Sequence, residues 1–314
     1  MKRRTALVLG GRVLALAAIQ FIVVAVVSAL LLPQAQTEPA TAQPAAETAM
    51  PLLVVCALST AVLTYVILRS RWAGLRLAVS VFVVVYGAMT VMGQIESAVF
   101  ITRLPPGMVP RLFLVGAVVA AVYAPLAVLI LGKARAHASQ PDTERLIMPA
   151  AEWAWKLAVV AVVYVALYFT FGYYVAWQSP AVRDYYGGID PGSYFGQLRS
   201  VLDERPWLPA LQVLRAMMWT ALALPVIRMM KGAWWEAGLA VALLFSVVAN
   251  AQLLLPNPYM PAAVRMAHLV ETASSNFIFG WFVVWLLHRH HSSIRGLFQK
   301  SEDPAAAGAR LKAV

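Results

Sequence analysis

The chain has 314 residues, of which 61% are hydrophobic and only 12% are charged. A soluble domain is closer to about half apolar and about a quarter charged, so this composition excludes a soluble globular protein and indicates an integral membrane protein. The net charge of +11 does not indicate a nucleic-acid partner, because the cations flank apolar segments and form no patch interleaved with aromatic residues. Cys56 is the one cysteine, which excludes an intramolecular disulfide.

Apolar runs of about 20 residues, the length that crosses a bilayer as a helix, recur along the chain. They cover residues 13–32, 52–68, 75–101, 112–131, 154–176, 208–229, 237–255 and 262–287. The sequence therefore predicts an all-α polytopic integral membrane protein with eight transmembrane helices. Its one certain partner is the lipid bilayer, and we expect the cell membrane, of the bacterial plasma-membrane type.

The first run also resembles a secretory signal, because it follows "MKRR" and precedes a segment rich in Pro, Ala, Thr and Gln at 33–50. Its apolar core is longer than the roughly 7–15 residues of a signal peptide. We therefore expect an uncleaved first helix, followed by a disordered outer loop at 33–50.

The cations support eight spans with both chain ends in the cytoplasm. Of the 25 Lys and Arg residues, all but seven fall on the side of the N-terminus. The seven exceptions are Arg103, Arg111, Arg183, Arg199, Arg205, Arg215 and Arg265. This asymmetry follows the positive-inside rule.

The eight spans divide into two groups of four. Residues 1–133 form the first half and 151–291 the second, with a cytoplasmic linker at 134–150 and a polar cytoplasmic tail at 292–314. "RWAGLRLAV" opens the third span and "WWEAGLAVA" opens the seventh, each after a span that ends in cations. A parallel duplication about an axis along the membrane normal predicts this pattern, and chance similarity between apolar helices is the alternative.

The outer loop between the fifth and sixth spans, residues 177–206, predicts two short surface helices. Ser179 and Ser193 are typical N-caps, Pro180 suits a first turn, and Gly187 is a typical helix end. The loop is either a lid over the outer surface or a simple connector.

A group of polar side chains falls inside four spans at a similar depth below the predicted outer surface, given the helical rise of about 1.5 Å per residue. It contains Gln94, Glu96, Gln212, Arg215, Asn250, Arg265, His268, Glu271 and Asn276. An unpaired charge at this depth is costly, so we expect Arg215 to neutralise Glu96 and Glu271 in one shared cavity. A purely structural hydrogen-bond network is the alternative. Tyr164 and Tyr168, spaced i and i+4, are candidates to line the same cavity.

A metal site has weaker support. His268, Glu271 and Glu96 are three possible ligands, but no His-Glu-x-x-His pattern and no Cys/His cluster accompanies them. We therefore expect no metal and identify no cofactor. We interpret the "HRHH" segment at 288–291 as a cationic anchor at the inner leaflet.

The polar group leaves three hypotheses for function. The preferred one is binding or transport of a small solute or ion, with Glu96 and Glu271 as proton or cation sites and Arg215 and Arg265 as counter-charges. The second is a membrane-embedded enzyme, either metal-dependent or metal-free, that acts on a lipid or lipid-linked head group. In it Glu96 or Glu271 would be the general base or a metal ligand, and His268 the acid or a ligand. The third is a non-catalytic scaffold or sensor. The sequence does not indicate an oligomeric state.

Overall fold

The computed structural model describes residues 2–32, 45–101, 104–135, 145–291 and 293–297. These residues form helices and connecting turns, with one isolated β-bridge and no strand among them. Eight helices are long and apolar enough to cross a membrane: Ala6–Leu31, Glu47–Leu68, Gly74–Phe100, Met108–Ile130, Ala150–Ala176, Leu208–Met229, Trp234–Leu254 and Ala262–Leu287. The predicted all-α fold with eight spans is confirmed. We call these helices the first to eighth spans.

The second span begins earlier than expected. Its helix starts at Ala45 and continues through Pro51 to Leu68, so the predicted disorder is wrong for residues 45–50. Pro51 is the seventh residue of this helix, so the hydrogen bond that an N–H there would make to the Glu47 carbonyl is missing. Residues 33–44 of the predicted loop, 136–144 of the predicted linker and 298–314 of the predicted tail lie outside the described residues.

The outer loop forms the two expected short helices, Pro180–Tyr186 and Tyr194–Glu204. The first ends at Gly187, whose φ of 69° is the left-handed conformation that glycine adopts readily. The second is capped by Ser193, whose hydroxyl accepts a hydrogen bond from the Gly196 N–H at 3.1 Å. We call the end of the bundle that carries residues 177–207 the outer end, following the charge pattern, and the opposite end the inner end.

Helix packing within the two groups of spans is similar. The first span packs against the second and fourth, and the third packs against the fourth. Likewise the fifth packs against the sixth and eighth, and the seventh against the eighth. At Gly280 the eighth span approaches the backbone of the seventh so closely that an added Cβ would lie 2.9 Å from Cα of Ala242. Small residues allow helices to approach closely where lipid provides no hydrophobic drive.

The two groups are joined at the inner end by their own span-to-span connections. The Arg71 N–H donates to the Met229 carbonyl at 2.7 Å, and the Lys231 N–H donates to the Arg69 carbonyl at 2.9 Å, on either side of an antiparallel bridge between Ser70 and Met230. The second bond follows from the first when the donor is moved 160 residues forward, from 71 to 231, and the acceptor 160 residues back, from 229 to 69. A parallel duplication would give this reciprocal contact, and the duplication itself stays a prediction.

Three of the spans are interrupted by π-helical turns, which the sequence did not predict. The turns are Tyr86–Val91 in the third span, Gly172–Ala176 in the fifth and Leu244–Val248 in the seventh. The seventh span also ends in a 3₁₀ turn, Ala251–Leu254. Turns of this kind are rare and occur frequently at functional sites.

Candidate functional site

A cavity of about 900 Å³ lies in the outer half of the bundle, between the third, fifth, sixth, seventh and eighth spans. We call it the chamber. It reaches down to Trp219 and Tyr164, near the middle of the sixth and fifth spans, and residues 186–191 and 196–205 of the outer loop line its outer part. Its volume falls in the range of about 300–1,000 Å³ that is typical of small-molecule sites.

The first charged pair in the chamber joins the third and sixth spans. Nη2 of Arg215 lies 2.6 Å from Oε1 of Glu96, and Nη1 of Arg215 donates to Oε1 of Gln212 at 3.0 Å. The Arg215 side chain is only 4% exposed, whereas the Glu96 side chain is 36% exposed. The cation is therefore buried in the protein, and the carboxylate faces the chamber.

The second charged pair lies on the eighth span and connects to the outer loop. Nδ1 of His268 is 2.7 Å from Oε2 of Glu271, and Nε2 of His268 is 3.1 Å from the hydroxyl of Tyr186. Burial raises the pKa of Tyr186, so its hydroxyl keeps its proton. The protonation of the His268 ring decides whether the hydroxyl donates to Nε2 or accepts from it. This chain of hydrogen bonds links a chamber carboxylate to the Pro180–Tyr186 helix.

Side-chain amides in the chamber are associated with the π-helical turns. The Asn250 amide donates to the carbonyls of Phe245 and Ser246 at 2.8 and 2.9 Å, within the turn of the seventh span. The Gln252 amide donates to the Met89 carbonyl at 3.0 Å, within the turn of the third span. These donors satisfy carbonyl groups next to an irregular helical turn, so the two amides support the shape of the chamber wall.

Aromatic side chains form much of the remaining wall. Trp219 donates its Nε1–H to the hydroxyl of Tyr164 at 3.2 Å, and the Tyr164 ring meets the Phe279 ring edge-on with centroids 4.7 Å apart. The full set of lining aromatic residues is Phe100, Tyr164, Tyr168, Phe169, Tyr173, Trp177, Tyr186, Trp219 and Phe279.

The structure places seven of the nine sequence-predicted site residues in the chamber wall. These are Gln94, Glu96, Arg215, Asn250, His268, Glu271 and Asn276. Gln212 is buried and contacts Arg215 without being a wall residue. Arg265 donates to the carbonyls of Leu253 and Met260 at 3.2 and 2.8 Å, so it fastens the connection between the seventh and eighth spans.

Sequence reasoning missed Tyr186 and Trp177 as wall residues, and it expected Arg215 to serve both carboxylates. In the structure Arg215 pairs with Glu96, and His268 pairs with Glu271. The i, i+3 spacing of His268 and Glu271 is a signal for that second pair, because such residues are neighbours on a helix. No sequence signal indicated that Tyr186 would reach His268.

Within the described residues, no group of three or more His, Cys, Asp or Glu side chains is arranged to hold a metal ion. Glu96, the third proposed ligand, is paired with Arg215. The donor set therefore gives no support to a metal centre at His268 and Glu271.

The "HRHH" segment, residues 288–291, belongs to a separate polar cluster at the inner end of the bundle. Glu152 contacts Lys156 at 2.7 Å, accepts the His291 N–H at 2.7 Å and also pairs with His290. Lys156 donates to the Arg289 carbonyl at 2.7 Å. Burial and the neighbouring Lys156 and Arg289 lower the pKa of His291 to about 4. The cluster fixes the chain after the eighth span to the start of the fifth.

No protein-family model matches the chain, and no curated protein or solved structure is significantly similar to it.

Proposed function

We propose that this multi-pass membrane protein binds a small solute in the chamber and carries it across the plasma membrane. The observation that carries the proposal is the chamber itself: a cavity of about 900 Å³ with two carboxylates, Glu96 and Glu271, in its wall. Such groups are costly within a membrane and are typical of substrate or ion pathways. Each has its own hydrogen-bonded partner, Arg215 for Glu96 and His268 for Glu271, which lowers the cost of its burial.

The inner end supports transport over simple binding. The bridge between Ser70 and Met230 closes the two groups of spans against each other, and Arg69 adds an ion pair with Glu236. Lys133 donates to the Ser70 carbonyl at 2.6 Å and so ties the same closure to the end of the fourth span. A chamber at the outer end, above a closure between the two groups of spans, is the arrangement expected of a carrier in its outward-facing state.

The closure has a polar and an apolar part. Its hydrogen bonds and ion pair can be exchanged for water at little net free energy. Ile67, Met229 and Met230 are fully buried in the hydrophobic core beside the bridge, so the two groups of spans must also separate or slide along packed apolar surface. The π-helical turns in the third, fifth and seventh spans give the outward-running helices places to bend. Movement of one half against the other would then open the inner end and close the outer one.

An enzyme acting on lipid head groups is the second candidate, and His268 would be its natural acid or base. Its Nε2, the atom that would face a substrate, is bonded instead to Tyr186. A structural scaffold is the third candidate, but a scaffold needs no cavity of this volume. Transport uses both the chamber and the inner closure, so we prefer it.

Thiol labelling tests this proposal without knowledge of the solute. Ser275 lies in the chamber wall, and its neighbour Ser274 faces away from the bundle interior and is exposed to the surroundings of the eighth span. Ser275→Cys and the matched control Ser274→Cys would be made in a Cys56→Ala background. Each would be treated with a charged, membrane-impermeant maleimide in sealed vesicles of either orientation.

A carrier predicts labelling of Ser275→Cys from both faces of the membrane and no labelling of Ser274→Cys, because a maleimide needs a hydrated thiolate. Labelling of Ser275→Cys from the outer face alone would refute transport and leave a binding protein. Absence of labelling from both faces would refute the solute chamber.

A further inference from the structure

The chamber wall contains side-chain oxygens that can accept hydrogen bonds from a ligand. Oε1 of Glu96 is used by Arg215, and the 36% exposed side chain presents its other oxygen to the chamber. Oε2 of Glu271 is used by His268, and Oε1 lies toward Gly172, 3.6 Å from where a Cβ on that glycine would be. Oε1 of Gln94 is buried in the wall and has no hydrogen-bond partner in the described part of the chain. A ligand that donates hydrogen bonds or carries positive charge fits these groups.

The cations near the chamber are already engaged. Arg215 is almost completely buried and binds Glu96 and Gln212. Arg205, near the outer opening, lies over the ring of Phe100, with its guanidinium carbon 6.0 Å from the ring centre. Among the described residues the wall holds three carboxylates, Glu96, Glu204 and Glu271, against these two guanidinium groups, and His268 is the one further wall residue that can carry positive charge.

The aromatic wall favours the same class of ligand. The face of an aromatic ring carries partial negative charge and attracts cations within about 6 Å, and quaternary ammonium groups are bound in this way. The Tyr164 ring already lies 5.9 Å from the guanidinium carbon of Arg215, which shows that a cation is accommodated beside this wall. Tyr168 lies one helical turn further out on the same face of the fifth span and also lines the chamber.

The size of the chamber favours an organic molecule over a bare inorganic cation as its main occupant. A volume of about 900 Å³ is that of a site for an organic molecule. An inorganic cation would need a compact set of several oxygen ligands, and the described residues form no such group of carboxylates and histidines.

We propose that the ligand is a small organic cation, an amine or quaternary ammonium compound, whose charged nitrogen is held by Glu271 and Glu96 against the rings of Tyr164 and Tyr168. This inference rests on the proposed solute-binding chamber and names its ligand class. The two carboxylates supply the charge, and the tyrosine rings bind the alkyl groups around the nitrogen.

Binding of three molecules of the same shape and different charge tests the ligand class. The probes are choline, the neutral isostere 3,3-dimethylbutan-1-ol and the anion 3,3-dimethylbutanoate. Binding to the purified full-length protein would be followed by titration calorimetry and by tryptophan fluorescence, because Trp177 and Trp219 line the chamber. We expect choline to bind at least about tenfold more tightly than the alcohol, which corresponds to about 1.4 kcal/mol, and the anion not to bind.

Single variants then test the named residues. Glu271→Gln and Tyr168→Leu should each weaken choline binding at least about tenfold, whereas Glu47→Gln, an exposed carboxylate at the start of the second span, should leave binding unchanged. The comparison of charged and neutral probes uses the unmodified protein, so it remains decisive if a variant does not fold.

The outcomes separate this inference from the proposed function. Equal affinity for choline and the alcohol, or tighter binding of the anion, would overturn the cation class and leave the chamber in place. No binding of any probe, together with labelling of Ser275→Cys from the outer face, would also overturn the cation class alone. No binding of any probe, together with no labelling of Ser275→Cys from either face, would overturn both the cation class and the solute chamber.

Discussion

The ion pair between Glu96 and Arg215 should show strong thermodynamic coupling, and the two single changes should have unequal effects. Glu96→Gln leaves the guanidinium of Arg215, only 4% exposed, without its counter-charge. Loss of one partner of a buried pair typically costs about 3–5 kcal/mol, so we expect about 3 kcal/mol here. Arg215→Met leaves the carboxylate of Glu96, which is 36% exposed to the chamber and can keep its water, so we expect only about 1–2 kcal/mol.

The double variant Glu96→Gln/Arg215→Met removes both charges and should lose no more than about 1 kcal/mol, because replacement of a whole buried pair is often nearly neutral. The expected coupling free energy is therefore about 3 kcal/mol. It would be measured by denaturant unfolding of the four proteins in the same detergent, read as a double-mutant cycle.

A surface pair on the outer loop provides the matched control. Arg199 and Asp203 are 3.8 Å apart on the Tyr194–Glu204 helix, with side chains 87% and 74% exposed. Their coupling, from Arg199→Met and Asp203→Asn, should stay below about 0.5 kcal/mol. Losses at positions 96 and 215 that add within about 0.5 kcal/mol would refute the reasoning, because they would mean that the two charges do not stabilise each other.

Three further results are expected. Gly280→Ala should lower the melting temperature in detergent, because its methyl group would clash with the backbone of the seventh span. Gly11→Ala is the control and should not lower it, because an added Cβ there has nothing within 4 Å. Equal effects of the two substitutions would contradict the packing of the eighth span on the seventh. Since the pKa of His291 is about 4 in the folded protein against 6.5 when unperturbed, the unfolded chain binds the proton first and stability should fall from pH 6.5 to pH 4. His291→Gln should flatten that slope in a thermal scan, and an unchanged slope would assign it to other groups. Reporter fusions at position 140 and at the C-terminus should report the cytoplasm, and one at position 190 the outside; the reverse would invert the topology.

The spans could be predicted because the physical constraints on a membrane helix act locally. The sequence placed the sixth span at 208–229, and the structure gives Leu208–Met229. It placed the eighth at 262–287, and the structure gives Ala262–Leu287. Apolar length and flanking charges decide these boundaries, and both can be read without knowledge of tertiary contacts. The caps of the outer helices, such as Ser193, could be read for the same reason.

The wall of the chamber was less predictable because it depends on contacts between distant residues. The turn at Leu244–Val248 is accompanied by the amide of Asn250, and the turn at Tyr86–Val91 by that of Gln252, from another span. Hydropathy shows that these amides are buried but not which carbonyls they bind. The bond between Tyr186 and His268 joins residues 82 positions apart, and no periodicity encodes it. Equal depth brought the correct polar residues together, but it could not decide which carboxylate would receive Arg215.

The central claim is that access to one chamber alternates between the two membrane faces, and a disulfide across the inner bridge tests it most directly. Ser70→Cys and Met230→Cys would be combined with Ser275→Cys and Cys56→Ala. The bonds on either side of this bridge make Ser70 and Met230 a non-hydrogen-bonded antiparallel pair, whose Cα separation of about 4.5 Å suits a disulfide. Labelling at position 275 would be quantified by peptide mass spectrometry, separately from each face. The account predicts that oxidation abolishes labelling from the inner face, that reduction restores it, and that labelling from the outer face persists throughout. Continued labelling from the inner face with the disulfide closed would contradict the account.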